Sequence, residues 1–263
     1  MGIMATATVT AIPVIPGLQS PFTVLDMNMS NTTYNALPRI HSDIRASQAH
    51  IKRLEAIVAG YNLRHKLGFH LLHKHEDIPN GQINLEMNLK NVAGKWIRPV
   101  SIDSLDLSEI HGAIFKFIPG ENILVPYEFA RGPSPVLMSD VVNNDCIKDV
   151  LGYITANGLA DSIGLEFQGT VKHGHHVESA AEIEVGKYGT IVLPKSMVNA
   201  VELIATSWPD ISQPYDPDAE PAPGTHWAPV KVGTKETHRV FVDQVENEDE
   251  LLNTLALQGV IKI

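Results

Sequence analysis

A chain of 263 residues with 44% hydrophobic and 19% charged residues has the make-up of an ordinary globular protein, long enough to bury one large core or two small ones. Its formal net charge of −10 argues against a sequence-independent nucleic-acid binder, which needs a basic face, and against electrostatic attachment to an anionic membrane. No run approaches the ~20 apolar residues of a membrane-spanning helix. The one cysteine, Cys146, forbids an intrachain disulfide and fits a reducing compartment. With no basic segment of a secretory signal at the start, the expectation is a soluble, cytoplasmic protein.

Residues 1–40 read as an extended arm. Pro13, Pro16, Gly17, Pro21 and Pro38 break any period, while Val9, Ile12, Val14, Ile15 and Phe22 are too apolar for a solvated tail. The arm is expected to lie along the body or along a second copy, giving a homodimer. The rest, 41–263, reads as a single α+β domain.

A helix is expected from Ser42 to Gly60, with Ser42 as N-cap and Ile44, Ile51, Leu54 and Val58 as its buried stripe. Leu67–His75 then changes period. Beyond Pro79-Asn80-Gly81, the run Gln82–Leu89 alternates, with Ile83, Leu85, Met87 and Leu89 on one face and Gln82, Asn84, Glu86 and Asn88 on the other. The two runs predict a hairpin, with Leu67, Phe69, Leu71, His73 and His75 on one side and His70 on the opposite side.

Further strands are expected at 96–102, 113–118, 123–129, 163–171, 181–185, 190–193 and 238–242. A second helix is expected over 139–157, with Cys146 as a small buried hydrophobe on its apolar stripe. Residues 208–229 hold six prolines and read as a long loop. Asn247 caps a last helix, 248–258, ended by Gly259.

The predicted fold class is α+β, a mainly antiparallel sheet with helices packed on one face. Two halves, 41–135 and 136–206, resemble each other in kind. Each runs helix, Leu-x-x-x-Leu/Ile-Gly, strand and a His-x-His pair, which suggests an internal duplication.

The chemistry concentrates in histidines. His70, His73 and His75 fall within six residues, and His173, His175 and His176 repeat the spacing. Two histidines at i and i+2 on a strand point the same way, so each pair is able to hold a metal ion. The expected metal ligands are His73, His75, His173, His175 and Glu178. Imidazoles with a carboxylate suit a transition ion such as Zn or Fe. A metal-free alternative uses His73 or His111 with Glu86 as an acid/base set.

His73-Lys-His-Glu-Asp77 resembles the start of the metallo-β-lactamase-fold motif, but Ile78 stands where its next histidine would, and no family is assigned. No Gly-x-Gly-x-x-Gly, P-loop or Gly-x-Ser-x-Gly motif occurs, so no nucleotide cofactor is expected. The expected function is an enzyme acting on a small apolar organic molecule through this histidine-rich site. The alternative is a non-catalytic binding or assembly protein with structural histidines.

Overall fold

Ten strands close into a barrel in the computed structural model, which describes residues 11–39, 47–141, 145–168, 179–208, 226–232, 240, 242 and 244–262. In chain order the strands are β1 (Leu67–Leu71), β2 (Gln82–Asn88), β3 (Lys95–Ser101), β4 (Ile110–Ile118) and β5 (Ile123–Arg131). They continue with β6 (Ile163–Phe167), β7 (Ala180–Glu184), β8 (Thr190–Pro194), β9 (Ala200–Trp208) and β10 (His226–Val232). Around the barrel the order is β1-β6-β4-β5-β2-β3-β8-β7-β10-β9, and β9 returns to β1. The pairs β2–β5 and β7–β10 are parallel and the rest antiparallel, so the sheet is mixed. The helices are α1 (Val24–Asn35), α2 (Gln48–Gly60), α3 (Met138–Val141), α4 (Cys146–Ala156) and α5 (Glu248–Leu257).

The closed mixed barrel overturns the expected α+β fold. The reason lies in which strand faces are apolar. Leu67, Phe69 and Leu71 of β1, with Ile163, Leu165 and Phe167 of β6, form one core with Ile51, Leu54 and Val58 of α2 and the buried face of α4. Ile83 and Leu85 of β2 and Phe129 of β5 pack against Phe22 and Met27 at α1. Ala181, Ile183, Ile191 and Leu193 pack against Leu251, Leu252 and Leu255 of α5. Apolar faces therefore point outward and are covered by helices on several sides, not on one. Burying each of these larger side chains is worth ~1.5–3 kcal/mol. The alternate residues, many of them polar, turn into the lumen.

Three local expectations change as a consequence. The arm contains α1, whose apolar period is too weak to read in the sequence. It is nucleated by a capping box, with the Thr23 side chain accepting from Asp26 N–H and the Asp26 carboxylate from Thr23 N–H. The hairpin does not form, because β1 pairs with β6 and β9 while β2 pairs with β3 and β5. Strands β9 and β10 were not anticipated, and β10 begins inside the expected Pro-rich loop.

Several expectations hold. Helix α2 keeps the expected buried stripe of Ile51, Leu54 and Val58 and ends at Gly60, but its N-cap is Ser47 and not Ser42, and residues 42–46 lie outside the described part. Helix α5 is capped by Asn247, whose Oδ1 accepts from Glu250 N–H at 3.0 Å, and Gly259 follows it at φ +70°. The expected strand at 238–242 falls largely outside the described residues. Helix α2 shares a core with α4, and Leu67 of β1 pairs with Phe167 of β6, while the second histidine pair of the expected duplication lies outside the described residues. Among the described residues no helix is long and apolar enough to cross a membrane.

Cys146 is fully buried on α4. Burial pushes its thiol up to about 12, so almost no thiolate exists at neutral pH. The native protein should therefore resist a polar thiol reagent and be labelled only on unfolding. Rapid stoichiometric labelling without denaturant would contradict this burial.

Candidate metal centre

The site begins where β1 stops. The strand ends at Leu71, and the chain leaves the sheet before His73 instead of continuing the alternation. That departure overturns the expected opposition of His70 and His73. His70 stacks on His73 with ring centroids 5.2 Å apart and planes at 12°. His73 meets His75 edge to face at 4.9 Å. All three histidines are buried.

Opposite them stands β7, whose alternation sends Ala181 and Ile183 to the outer core and Glu182 and Glu184 inward. Glu182 Oε2 lies 3.3 Å from His73 Nε2 and 3.5 Å from His75 Nε2. One ligand atom from each of His73, His75 and Glu182 lies within 4.8 Å of the others, and all three residues are buried. Ligands ~2.1 Å from a common ion sit ~3.0–3.5 Å apart in tetrahedral or octahedral geometry, which the two histidine–glutamate distances match. This group is able to hold a metal ion.

The surrounding contacts orient these side chains. His73 Nδ1 donates to the Leu71 carbonyl at 2.7 Å, since a carbonyl only accepts, and this leaves Nε2 for coordination. His75 Nδ1 faces Glu184 Oε2 at 3.9 Å, within ion-pair range but longer than a hydrogen bond. Thr206 Oγ1 of β9 donates to Glu182 Oε1 at 2.8 Å, fixing the other carboxylate oxygen. Burial alone would raise the Glu182 carboxyl, but hydrogen bonds from the His73 and His75 rings hold it well below the usual carboxylate range.

A cavity of about 20 Å³ continues from His70, His75 and Glu182 to Glu86, Glu128 and Lys95. That is room for roughly one water-sized species. Lys95 Nζ pairs with Glu86 at 2.8 Å. Desolvation works against the Lys95 ammonium, but Glu86 overrides it and the lysine pKa is raised. Glu128 is different. Burial first, then the nearby Glu86 and Glu182, push its pKa well above the ordinary value. Its position reflects paired irregularities in β4 and β5. Gly112 pairs with Phe129, Ile114 with Glu128 and Phe115 with Pro126, so Ala113 and Tyr127 are the extra residues. The Tyr127 ring thereby meets His70 at 6.4 Å. At the facing position on β6, Gly164 pairs with His70, and an added Cβ there would lie 2.6 Å from the Phe115 carbonyl oxygen.

His75 also lines a second, larger pocket of about 330 Å³. Its buried walls include Tyr34, Asn84 and Thr190, and its rim carries Glu76, Asp77 and Lys187. Both rim carboxylates are engaged, Glu76 by Arg39 and Asp77 by Lys74, each at 2.7 Å.

Of the residues singled out from sequence, His73 and His75 come together. Glu86 lies in the same lumen but on Lys95. His111 is elsewhere, its Nδ1 donating to the Gly132 carbonyl at 2.9 Å. His173, His175 and Glu178 lie outside the described residues. The third member of the cluster, Glu182, is not among the expected ligands. Its signal was the alternation Ala181-Glu-Ile-Glu-Val185, whose acidic face reads as solvent-exposed unless the barrel interior is known to be polar.

The fold and site thus define a ten-stranded barrel, sheathed by helices, with a two-histidine, one-carboxylate cluster in a polar lumen. No protein-family model, curated protein or solved structure matches this chain.

Proposed function

We propose that this protein is a mononuclear metal-dependent enzyme, with His73, His75 and Glu182 binding Fe(II) or Zn(II). The observation that carries the reading is the convergence of two imidazoles and one carboxylate in a buried space, with His73 Nδ1 already committed to a backbone carbonyl. Such a group is short of a cation unless a proton or a metal ion sits among the three acceptor atoms. Three protein ligands leave coordination positions open for water or substrate, as in two-histidine, one-carboxylate iron sites and His₂Glu zinc sites. The ion would act as a Lewis acid or activate water or dioxygen. Glu128 lines the adjoining cavity, and burial raises its proton affinity, so it would serve as a proton donor within the same lumen.

The pocket shared by His75 supports a small-molecule substrate, being of the size such sites usually have. Its buried hydroxyl and amide groups, from Tyr34, Asn84 and Thr190, favour a polar molecule over the small apolar one expected from the sequence.

The test is elemental analysis of protein purified without a histidine tag, beside the double variant His73→Ala/His75→Ala. The expected result is about one equivalent of a transition metal in the parent and none in the folded variant. Because metal displaces a proton from this cluster, uptake should release protons and weaken below neutral pH. A parent that takes up no Fe(II), Zn(II) or Co(II) on reconstitution sinks the reading.

A further inference from the structure

The segment 72–81 that carries His73 and His75 runs between β1 and β2 outside the sheet, so its backbone groups need partners other than a strand ladder. Leu72 N–H still reaches the Ser162 carbonyl and the Gly81 carbonyl accepts from Ile102 N–H, while helix α1 supplies partners between them. Ile78 N–H donates to Asn35 Oδ1 at 3.0 Å, and Asn35 Nδ2 donates back to the Ile78 carbonyl at 3.0 Å. One side-chain amide thus copies the two-way exchange of a strand pair. Asn31 Nδ2 donates to the carbonyls of Pro79 at 2.8 Å and Gln82 at 2.9 Å. His75 N–H donates to the Tyr34 hydroxyl at 3.1 Å. Just past the helix, Lys74 N–H donates to the Pro38 carbonyl at 2.8 Å, and Lys74 Nζ reaches the Asn35 carbonyl.

These contacts explain an odd helix. Asn28-Met-Ser-Asn-Thr-Thr-Tyr-Asn35 is rich in residues of poor helix propensity and has little apolar stripe. Asn31 and Asn35 are four apart and share one face, and Asn35 Nδ2 also reaches Asn31 Oδ1 at 3.3 Å. Asn31, Thr33 and Tyr34 are buried although polar. A helix kept only to cover β2 and β5 would be served better by leucines. A helix that must hold a non-repetitive segment by its peptide groups needs amides, and asparagine presents a donor and an acceptor in one plane.

We infer that α1 is a clamp that holds the ligand-bearing segment in its coordinating conformation, with Asn35 as the principal positioning residue. This role rests on the metal reading of His73, His75 and Glu182. Asn35 touches neither metal nor substrate. It acts by fixing the backbone at Ile78, as Tyr34 does at His75, so the two imidazoles are preorganised toward Glu182.

The experiment compares the full-length parent with Asn35→Ala, Asn35→Asp and a surface control, Asn28→Ala, using Co(II) as the probe. Asn35→Ala should bind Co(II) about 10–100-fold more weakly, the usual effect of removing an orienting partner. Its visible Co(II) spectrum should also change, a readout that mere loss of global stability would not move. In metal-free protein, hydrogen exchange at the amides of His75 and Ile78 should quicken. Asn35→Asp keeps the acceptor for Ile78 N–H and loses the donor. It should fall between parent and alanine, and it remains informative if the alanine variant does not fold. Asn28→Ala should match the parent in every readout.

A parent that binds Co(II) while both Asn35 variants keep its affinity, spectrum and exchange rates overturns the clamp and leaves the metal reading standing. A parent that binds no Co(II) overturns both.

Discussion

Glu182→Leu should lower the stability of the metal-free protein by about 3–5 kcal/mol at pH 7, the size of effect seen when one partner of a buried charged group is removed. Glu182 accepts from Thr206 and faces the Nε2 atoms of His73 and His75, and all four residues are buried. Leucine fills the space and leaves two imidazoles and a hydroxyl without their acceptor. Each such buried group costs ~1–3 kcal/mol. The folded-state pKa of Glu182 is depressed, so its stabilisation is present above the unfolded value of ~4.3 and is lost as pH falls through the folded value. The stability gap between parent and variant, measured by urea unfolding, should therefore be wide at pH 7 and narrow on acidification. The variant should also fail to take up metal. A Glu182→Leu protein as stable as the parent at pH 7 would mean that the cluster is not organised by this carboxylate.

How much of this could be read from the chain depends on the face of each strand. The alternation at Gln82–Leu89 correctly separates Ile83 and Leu85 from Asn84 and Glu86. What it cannot say is which face is inside, because a polar lumen and a solvated surface leave the same pattern. In this barrel the apolar face lies outward under helices and the polar face inward, so Glu86 and Glu182 are interior residues that look like surface ones. Pairing was illegible for a related reason. Pro79-Asn80-Gly81 suggests a hairpin, but β1 finds its neighbours in β6 and β9, far along the chain, and no local signal encodes that choice.

The histidines were legible as residues but not as an arrangement. His73 and His75 stood out by spacing, whereas their meeting with His70 required knowing that the strand stops at Leu71. Helix α1 was hidden because its sequence serves hydrogen bonding to the 72–81 segment more than burial of an apolar stripe. Its one local mark was the Thr23–Asp26 capping box. Where local preference and observed structure part company, as at α1 and at the end of β1, both places meet the segment 72–81.

The second large effect has the opposite sign in pH. Glu128 shares the lumen with Glu182 but has no imidazole to charge against. Burial and the neighbouring Glu86 and Glu182 raise its pKa, and Lys95 only partly offsets them. Above pH ~4.3 the unfolded chain has released this proton while the folded protein keeps it. The unfolded state then binds fewer protons, so stability falls as pH rises, by about 1.4 kcal/mol per pH unit until the raised folded value is reached. Glutamine copies the protonated acid in shape and hydrogen bonding without the titration. Glu128→Gln should therefore be close to the parent in stability in the ordinary carboxylate range and gain on it as pH rises towards 8, with Co(II) binding retained. Parallel stability curves for parent and variant from pH 5 to pH 8 would show that Glu128 is ionised in the fold. Glu182 and Glu128 line one lumen with their carboxyls displaced in opposite directions, the first towards the anion and the second towards the acid.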